Sequence, residues 1–403
     1  MKKEVTVKVE SKKIFFLSYS KHQYKFFRFL RDNLKSGAAI LLSSFQCFIR
    51  GIFIRQDELF SQEDIDKIVK YSFLKFKARR QQNREDFLNR AYYQYLLYKT
   101  RILSQYYYRC FRDNNIDLVV VWNGFHMEAA SCVKVAHVLG IKTIFMENGY
   151  FPQTLVMDEK GVNAVNSLAG KGAQFYQKVQ VDQEKLAQLY DTKLQQVKLR
   201  KRYFGKEEME YPRNFFFLPF QVLTDTQVLL NSPHIRNMYE LVDIVYSALE
   251  RFNCINNEDF WLVIKEHPCD FGRVDYSDLK KKYQNKKVVF TITTPSSRLI
   301  ELSKAVITIN STVGIEALLK RKAVITLGKD FYNVEGLVHH CNDLLRLHEF
   351  MAKALSEKIN NELLDKFLYF LRYEYLVEID RKNLTKDNIK PVLERLEKFW
   401  HNN

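Results

Sequence analysis

The sequence predicts an α/β protein with two doubly wound domains facing each other across a cleft and helices at the C-terminus. Three observations carry this. Short apolar runs rich in Val, Ile and Phe recur along the chain, the kind that fill a parallel sheet buried on both faces. Segments with helical period alternate with them in a strand–helix–strand rhythm. The rhythm stops in a polar stretch around 181–214 and restarts at 215. This divides the chain into an N-terminal domain (1–205) with a helical insertion, a second domain (206–345) and a helical, charged tail (346–403). At 403 residues with 46% apolar content, the chain can bury two cores of ordinary size.

In the first domain KIFFLS (13–18) reads as a strand, followed by a helix with Phe26, Phe27, Leu30 and Leu34 at helical spacing. Ala38–Leu42 reads as a second strand. Residues 62–114 are helical and rich in Tyr, Arg and Gln; aromatics at that spacing pack between helices more often than they stack on bases. IDLVVVW (116–122) is a buried parallel strand, Glu128–Leu139 a helix closed by Gly140, and Thr143–Phe145 the next strand, which completes one βαβ unit. The stretch MENGYFPQTLVMDEKGVN (146–163) then reads as a strand end breaking into a loop. A polar helix over 181–205 and a linker at 207–214 lead to the second domain. There, strands at 215–220, 260–268, 287–292, 305–310 and 323–328 alternate with helices at 235–252, 296–303 and 312–320.

Composition narrows the function. The chain carries 63 Lys and Arg against 47 Asp and Glu, a net charge of +16, which favours anionic partners. Nucleic acid is not expected, because the basic residues are spread along the chain and no RRM, KH or helix-turn-helix pattern appears. An anionic membrane surface or anionic substrates fit better. The six cysteines are scattered without a CxxC pair, which argues against a zinc ribbon and fits buried free thiols in a reducing compartment. The start, MKKEVTVKVESKK, lacks the apolar centre of a signal peptide. The most apolar stretch, 37–54, holds Gln46 and Arg50 and makes a poor span, so it reads as a buried strand and a second short element, with a monotopic membrane contact as the alternative. Charge-driven peripheral attachment to an anionic membrane surface is the expectation.

Four polar clusters follow strands, at the edge where open α/β sheets bind ligands. Glu147–Asn148–Gly149 places a carboxylate at the cleft mouth, with a glycine that permits a turn or a close approach. FQVLTDTQ (220–227) offers Gln221, Asp225 and Gln227; Asp225 suits a nucleophile or base, or more plainly a helix cap. KEHP (265–268) supplies Lys265 and His267, the latter suited to a phosphate or leaving group or to an ordinary structural bond. NSTVGIEALL (310–319) opens a helix with Ser311 or Thr312 as its cap, where free N–H groups favour an anion. No GxxxxGK[ST] or GxGxxG motif is present. Hydroxyls and a histidine suit a phosphate leaving group, and two carboxylates suit transfer of an electron-poor carbon to a hydroxyl. That is the layout of a two-domain, GT-B-like glycosyltransferase with Rossmann-like halves. No DxD-type metal pair is evident, and neither metal nor cofactor is expected.

ENGYFPQTLVMDEKGVN, LPFQVLTDTQ, KEHP and NSTVGIEALL, followed by TLGKDFYNVEGL, resemble in order and spacing the capsular polysaccharide biosynthesis family of bacterial β-Kdo transferases. The resemblance covers residues 115–340, and its His-Pro element is shared with bacterial sialyltransferases. It implies a GT-B-like fold, a CMP-activated 3-deoxy ulosonic acid donor (CMP-Kdo), a lipid or glycan acceptor, and retention at the anomeric carbon. By that resemblance Asp225 would be the nucleophile or the carboxylate facing the anomeric carbon, and Glu147 the acid/base partner near the acceptor hydroxyl. His267 meets the donor phosphate, Asn310, Ser311 and Thr312 hold the CMP, and Lys265 and Gln221 contact the donor carboxylate or phosphate. A transferase for another CMP-nonulosonate such as sialic acid, or a non-catalytic capsule-assembly protein, are the alternatives.

Overall fold

The computed structural model describes residues 12–35, 37–54, 59–80, 86–192 and 210–401. The 205/206 boundary and the end of the polar helix expected over 181–205 lie outside them. The strands are β1 (Lys13–Ser18), β2 (Ala38–Ser43), β3 (Leu118–Trp122), β4 (Lys142–Asn148), β5 (Thr154–Asp158), β6 (Phe215–Pro219), β7 (Trp261–Lys265), β8 (Val288–Thr291), β9 (Ala305–Thr308), β10 (Ala323–Thr326), β11 (His339–His340) and β12 (Val377–Glu378). They form two six-stranded sheets, ordered β2-β1-β3-β4-β5-β12 and β8-β7-β6-β9-β10-β11. Every pairing in the second sheet is parallel. In the first, β1–β4 are parallel and β5 and β12 are antiparallel additions at one edge.

Both faces of each sheet are covered, which is why the strands read as unbroken apolar runs. On one face of the first sheet, Phe15, Leu17, Val119 and Val121 share a core with Leu96, Leu103 and Tyr107 of the helix Phe87–Asp113. On the other, Phe16, Val120, Ile144 and Met157 meet Phe26, Phe27 and Leu30 from the helix Lys21–Asp32. That same face receives Val392, Leu393, Leu396 and Trp400 of the helix Lys390–His401, so the end of the chain folds back onto the first sheet. In the second sheet, Phe216, Leu262, Ile264 and Ile307 pack on the helix Met238–Asn256. Phe217, Val263 and Val306 pack on Ile300, Ile315 and Leu318, within the core cluster that also holds the first sheet's Phe15 face. This is the GT-B-like arrangement the sequence predicts.

Three readings change. The stretch after Phe145 does not break into a loop. β4 runs on to Asn148 and a hairpin returns it as β5, with Glu147 paired to Val156. The tail is not wholly helical, since β12 closes the edge of the first sheet beside β5. Nor are all the thiols buried: Cys254 and Cys269 are exposed, though all six are free.

Candidate active site

In the second sheet the strand order reverses between β6 and β9, and a crevice opens at their C-terminal ends, where such sheets bind ligands. Two buried amides knit that crevice. Gln221, just past β6, donates from Nε2 to Asn310 Oδ1 at 3.0 Å, and the Asn310 backbone N–H donates to Gln221 Oε1 at 3.3 Å. Asn310 Nδ2 donates to the carbonyl of Gln227 at 3.0 Å and faces those of Lys329 and Asn231 at 3.2 and 3.4 Å. Gln227 in turn donates to Asp330 Oδ2 at 3.0 Å. Burial pushes the Asp330 carboxyl well above the usual carboxylate range, and the neighbouring Asp225 charge adds to the effect.

The resulting cavity, about 150 Å³, takes Tyr150 and Asn163 from the first domain. From the second it takes Gln221, Asp225, His267, Asn310, Ser311 and Thr312. Asp225 is both things the sequence allowed. Its Oδ1 caps the helix Thr226–Leu229, accepting from the Gln227 N–H at 3.0 Å, while the residue lines the cavity. His267 Nδ1 accepts the Cys269 N–H at 3.1 Å, which places the ring proton on Nε2 as a donor. Burial lowers the His267 pKa and the Asp225 charge opposes that, so the ring is neutral at neutral pH.

At the start of the helix Val313–Leu319, Thr312 takes the cap position without a capping bond of its own, and Ser311 Oγ accepts the Val313 N–H at 3.2 Å. Tyr332 donates its hydroxyl proton to the Ser311 carbonyl at 2.7 Å and fixes this turn. Lys265 points elsewhere. Its ammonium donates to the Thr294 carbonyl at 2.7 Å and lies near Glu316, whose carboxyl burial pushes up to about 7 against the opposing Lys265 charge.

On the first domain, Glu147 is enclosed by donors. Trp122 Nε1 donates at 3.1 Å, Asn123 Nδ2 at 2.8 Å and the Asn148 backbone N–H at 2.8 Å. Arg381, from the tail beyond β12, donates to Asn148 Oδ1 and lies 4.9 Å from the Trp122 ring centre. Burial raises the Glu147 pKa, and these donors with the Arg381 charge hold it back. Gly149 serves a close approach, though to the protein itself: a Cβ there would sit 2.0 Å from Thr154 Oγ1. Asp158 is structural. It accepts from the Ser167 N–H and hydroxyl at 2.8 and 2.6 Å and from the Tyr375 hydroxyl at 2.9 Å.

Six of the eight sequence-predicted residues therefore meet in one cavity, while Glu147 and Lys265 stand outside it. Three cleft residues escaped the sequence reading. Tyr71 donates its hydroxyl to the Thr224 carbonyl at 3.1 Å, bridging the domains; burial raises its pKa, and the Asp225 and Glu147 charges add to that. His126 packs on Tyr19 and Tyr71, and burial beside Lys75 holds it down at about 4. Asp330 is the third. His126 and Asp330 had signals, WNGFH after β3 and LGKDFYN after β10, polar strand ends like the four singled out, whereas Tyr71 on the helix Gln62–Arg79 had none. Among the described residues no group of His, Cys, Asp or Glu forms a metal-holding set, and no helix is long and apolar enough to cross a membrane.

Comparison with known proteins adds ancestry. Residues 176–374 match the family described as capsule polysaccharide biosynthesis protein. The chain is 38% identical over 262 residues to Protein FixF of Sinorhizobium fredii, covering 65% of this chain and 60% of that protein. It is 28% identical over 167 residues to the capsule polysaccharide export protein KpsS of Escherichia coli, covering 40% of each. The chain thus spans less than two thirds of these relatives' lengths. Among solved structures, Thermosulfurimonas dismutans KpsC, a beta Kdo 2,7 transferase, superposes with a TM-score of 0.50 at 15% identity, over 96% of this chain and 100% of that one; this is a likeness of fold. The matched stretch 176–374 holds Gln221, Asp225, Lys265, His267 and Asn310–Thr312, and over that stretch the chain is similar to the capsule polysaccharide biosynthesis family.

Proposed function

We propose that the chain is a retaining glycosyltransferase that moves Kdo from CMP-Kdo to a lipid or glycan acceptor in capsule or surface polysaccharide synthesis, working at the inner face of the inner membrane. Residues 1–205 serve as the acceptor domain and 206–345 as the nucleotide domain. The observation that carries this reading is the convergence of Asp225, His267 and the Asn310–Thr312 turn on one cavity at the switch point of the second sheet. His267 Nε2–H and the Ser311–Thr312 turn face the donor phosphate. Gln221 and Asn310, whose amides are engaged with each other, shape the pocket around the CMP. Lys265 adds positive charge behind it.

Asp225 attacks the anomeric carbon as the bond to the phosphate oxygen breaks, and CMP leaves with the electron pair. The acceptor hydroxyl then displaces Asp225 from that carbon, and its proton passes to Glu147. Two displacements at one carbon return the original configuration. Phosphate charge is met by hydrogen-bond donors, so no metal enters the scheme.

The test is thermal. CMP raises the melting temperature without added metal, and His267→Ala reduces that shift while the unliganded melting temperature stays put. A CMP shift that requires Mg²⁺, or none at all, removes the donor site. Transfer from CMP-Kdo but not CMP-sialic acid fixes the sugar; the reverse preference assigns another nonulosonate.

A further inference from the structure

We propose that Lys75 and Arg79, on the cleft face of the helix Gln62–Arg79, bind a carboxylate or phosphate carried by the acceptor, beside the loop that holds Asp225; this rests on the transferase reading above. Tyr71, Lys75 and Arg79 are spaced four residues apart and share one helix face. The Tyr71 bond to the Thr224 carbonyl turns that face toward the 222–225 loop. Beyond Lys75, Arg79 enters a cavity of about 440 Å³ with Val222, Leu223, Thr224 and Arg273. This cavity is distinct from the one formed by Gln221, His267 and Asn310, and Val222 lines both.

The charges along this face are unbalanced. Lys75 is half-buried, and its ammonium lies 3.2 Å from His126 Nε2, a neutral ring nitrogen. Among the described residues no carboxylate pairs with Lys75 or Arg79. The nearby Glu128 is bound to Lys99 at 2.7 Å. Asp225 is spent in part on its helix cap, and Asp270, which shares the larger cavity, is pushed upward by burial and accepts from Tyr276. Burial, with Arg79 alongside, lowers the Lys75 pKa, and the attraction of Asp225 and Glu128 does not offset this. A half-buried cation without a counter-charge is costly, and an anionic ligand would remove that cost. The donor phosphate has its own partners across the loop. Lys75 hangs from the first domain, so the acceptor is the ligand that reaches it.

Two measurements decide this. Lys75→Ala should raise the acceptor KM about tenfold or more while the donor KM and the CMP melting shift stay within twofold, and Lys75→Arg should restore most of the loss. Independently of turnover, trace acetylation of wild-type protein mapped by peptide mass spectrometry should show Lys75 protected by inorganic phosphate and by a Kdo-terminated glycan, but not by CMP. Protection by CMP, or a donor KM effect in Lys75→Ala, overturns the assignment and makes the lysine a donor ligand. Unchanged acetylation in phosphate overturns the anion site altogether. Absence of transfer from CMP-Kdo removes the transferase reading, while phosphate protection still decides whether the anion site exists.

Discussion

Glu147 sits where its proton affinity is set by opposed effects: enclosure raises it, and three N–H donors with Arg381 restrain it. A carboxylate so held is suited to take a proton and release it. Glu147→Gln keeps the shape but turns an NH₂ toward those donors. It should slow the acceptor step roughly 10²-fold or more and cost about 1–3 kcal/mol of stability, read by single-turnover kinetics and urea unfolding. Asp225→Ala should abolish transfer and leave the CMP shift in place, since its Oδ1 bonds serve a helix cap rather than the nucleotide. In Glu147→Gln incubated with CMP-Kdo, intact mass should show a Kdo adduct that maps to Asp225. An adduct on Glu147 reverses the two roles, and near-normal transfer by Asp225→Ala removes the covalent route. Most of the cavity lined by Gln221, Asp225, His267 and Asn310 was legible because its residues follow apolar strands, and a strand's C-terminal end is where a parallel sheet exposes polar groups. Tyr71 and Lys75 were not. Tyr71 lies on a helix whose period reads equally well as core packing, and only the fold brings it to Thr224. Arg381 was hidden for the same reason, because the return of the tail to the first sheet has no local signal.

The turn and helix at 310–319 hold two testable features of the element scale. Gly314 packs against the Tyr332 ring: a Cβ would lie 2.6 Å from the Tyr332 hydroxyl and 3.0 Å from its Cζ. Tyr332 is buried and its hydroxyl holds the Ser311 carbonyl, so the ring cannot move away without releasing the turn. Gly314→Ala should cost about 1–3 kcal/mol and cut the CMP shift more than it lowers the melting temperature of free protein. An unchanged CMP shift would detach Tyr332 from the donor site. Two residues on, Glu316 is held at about 7 by burial, well above its unfolded value. The folded protein therefore binds this proton more tightly than the unfolded chain. That contribution is fully present below about pH 4.5 and is lost as pH rises to about 7. Over this window wild-type stability should fall relative to Glu316→Gln, by up to about 3 kcal/mol, in denaturant melts at stepped pH. Parallel curves for the two proteins would show that Glu316 stays ionised beside Lys265. The element missed most clearly, β5, shows what the sequence withholds. Thr154–Asp158 is five buried residues, but the Gly, aromatic and Pro run before it reads as a loop. The antiparallel ladder from Phe145–Asp158 to Asn148–Leu155, closed by the Gly149 N–H on the Thr154 carbonyl, makes it a hairpin.

For the whole molecule, the +16 charge and the stretch 37–54 bear on where the protein works. That stretch forms β2 and the helix Ser44–Gly51, which explains its apolar composition without a membrane span. The helix packs inward through Cys47 and through Gly51, which lies against Ile102 and Tyr106 of the long helix Phe87–Asp113. Its opposite side and the turn that follows it leave Phe45 71%, Ile49 42%, Ile52 44% and Phe53 83% exposed. A stripe of this kind can rest in the headgroup layer once charge has brought the protein to the surface. The two contributions separate by salt. Attraction to an anionic leaflet is worth about 1 kcal/mol per basic residue near the surface and is screened beyond about 10 Å at 0.1 M salt, whereas apolar burial is not screened. Cosedimentation with phosphatidylglycerol vesicles should therefore be strong at low salt, weak with neutral phosphatidylcholine, and largely reversed as salt rises. Phe45→Ser with Phe53→Ser should leave the low-salt binding in place and lower the salt needed for release, a loss of roughly 3 kcal/mol in apolar transfer. If wild type and variant release at the same salt, the stripe does not touch lipid and charge alone holds the protein there. If binding is equal on neutral and anionic vesicles, charge is not the driver, and the basic surface serves only anionic substrates in the cleft.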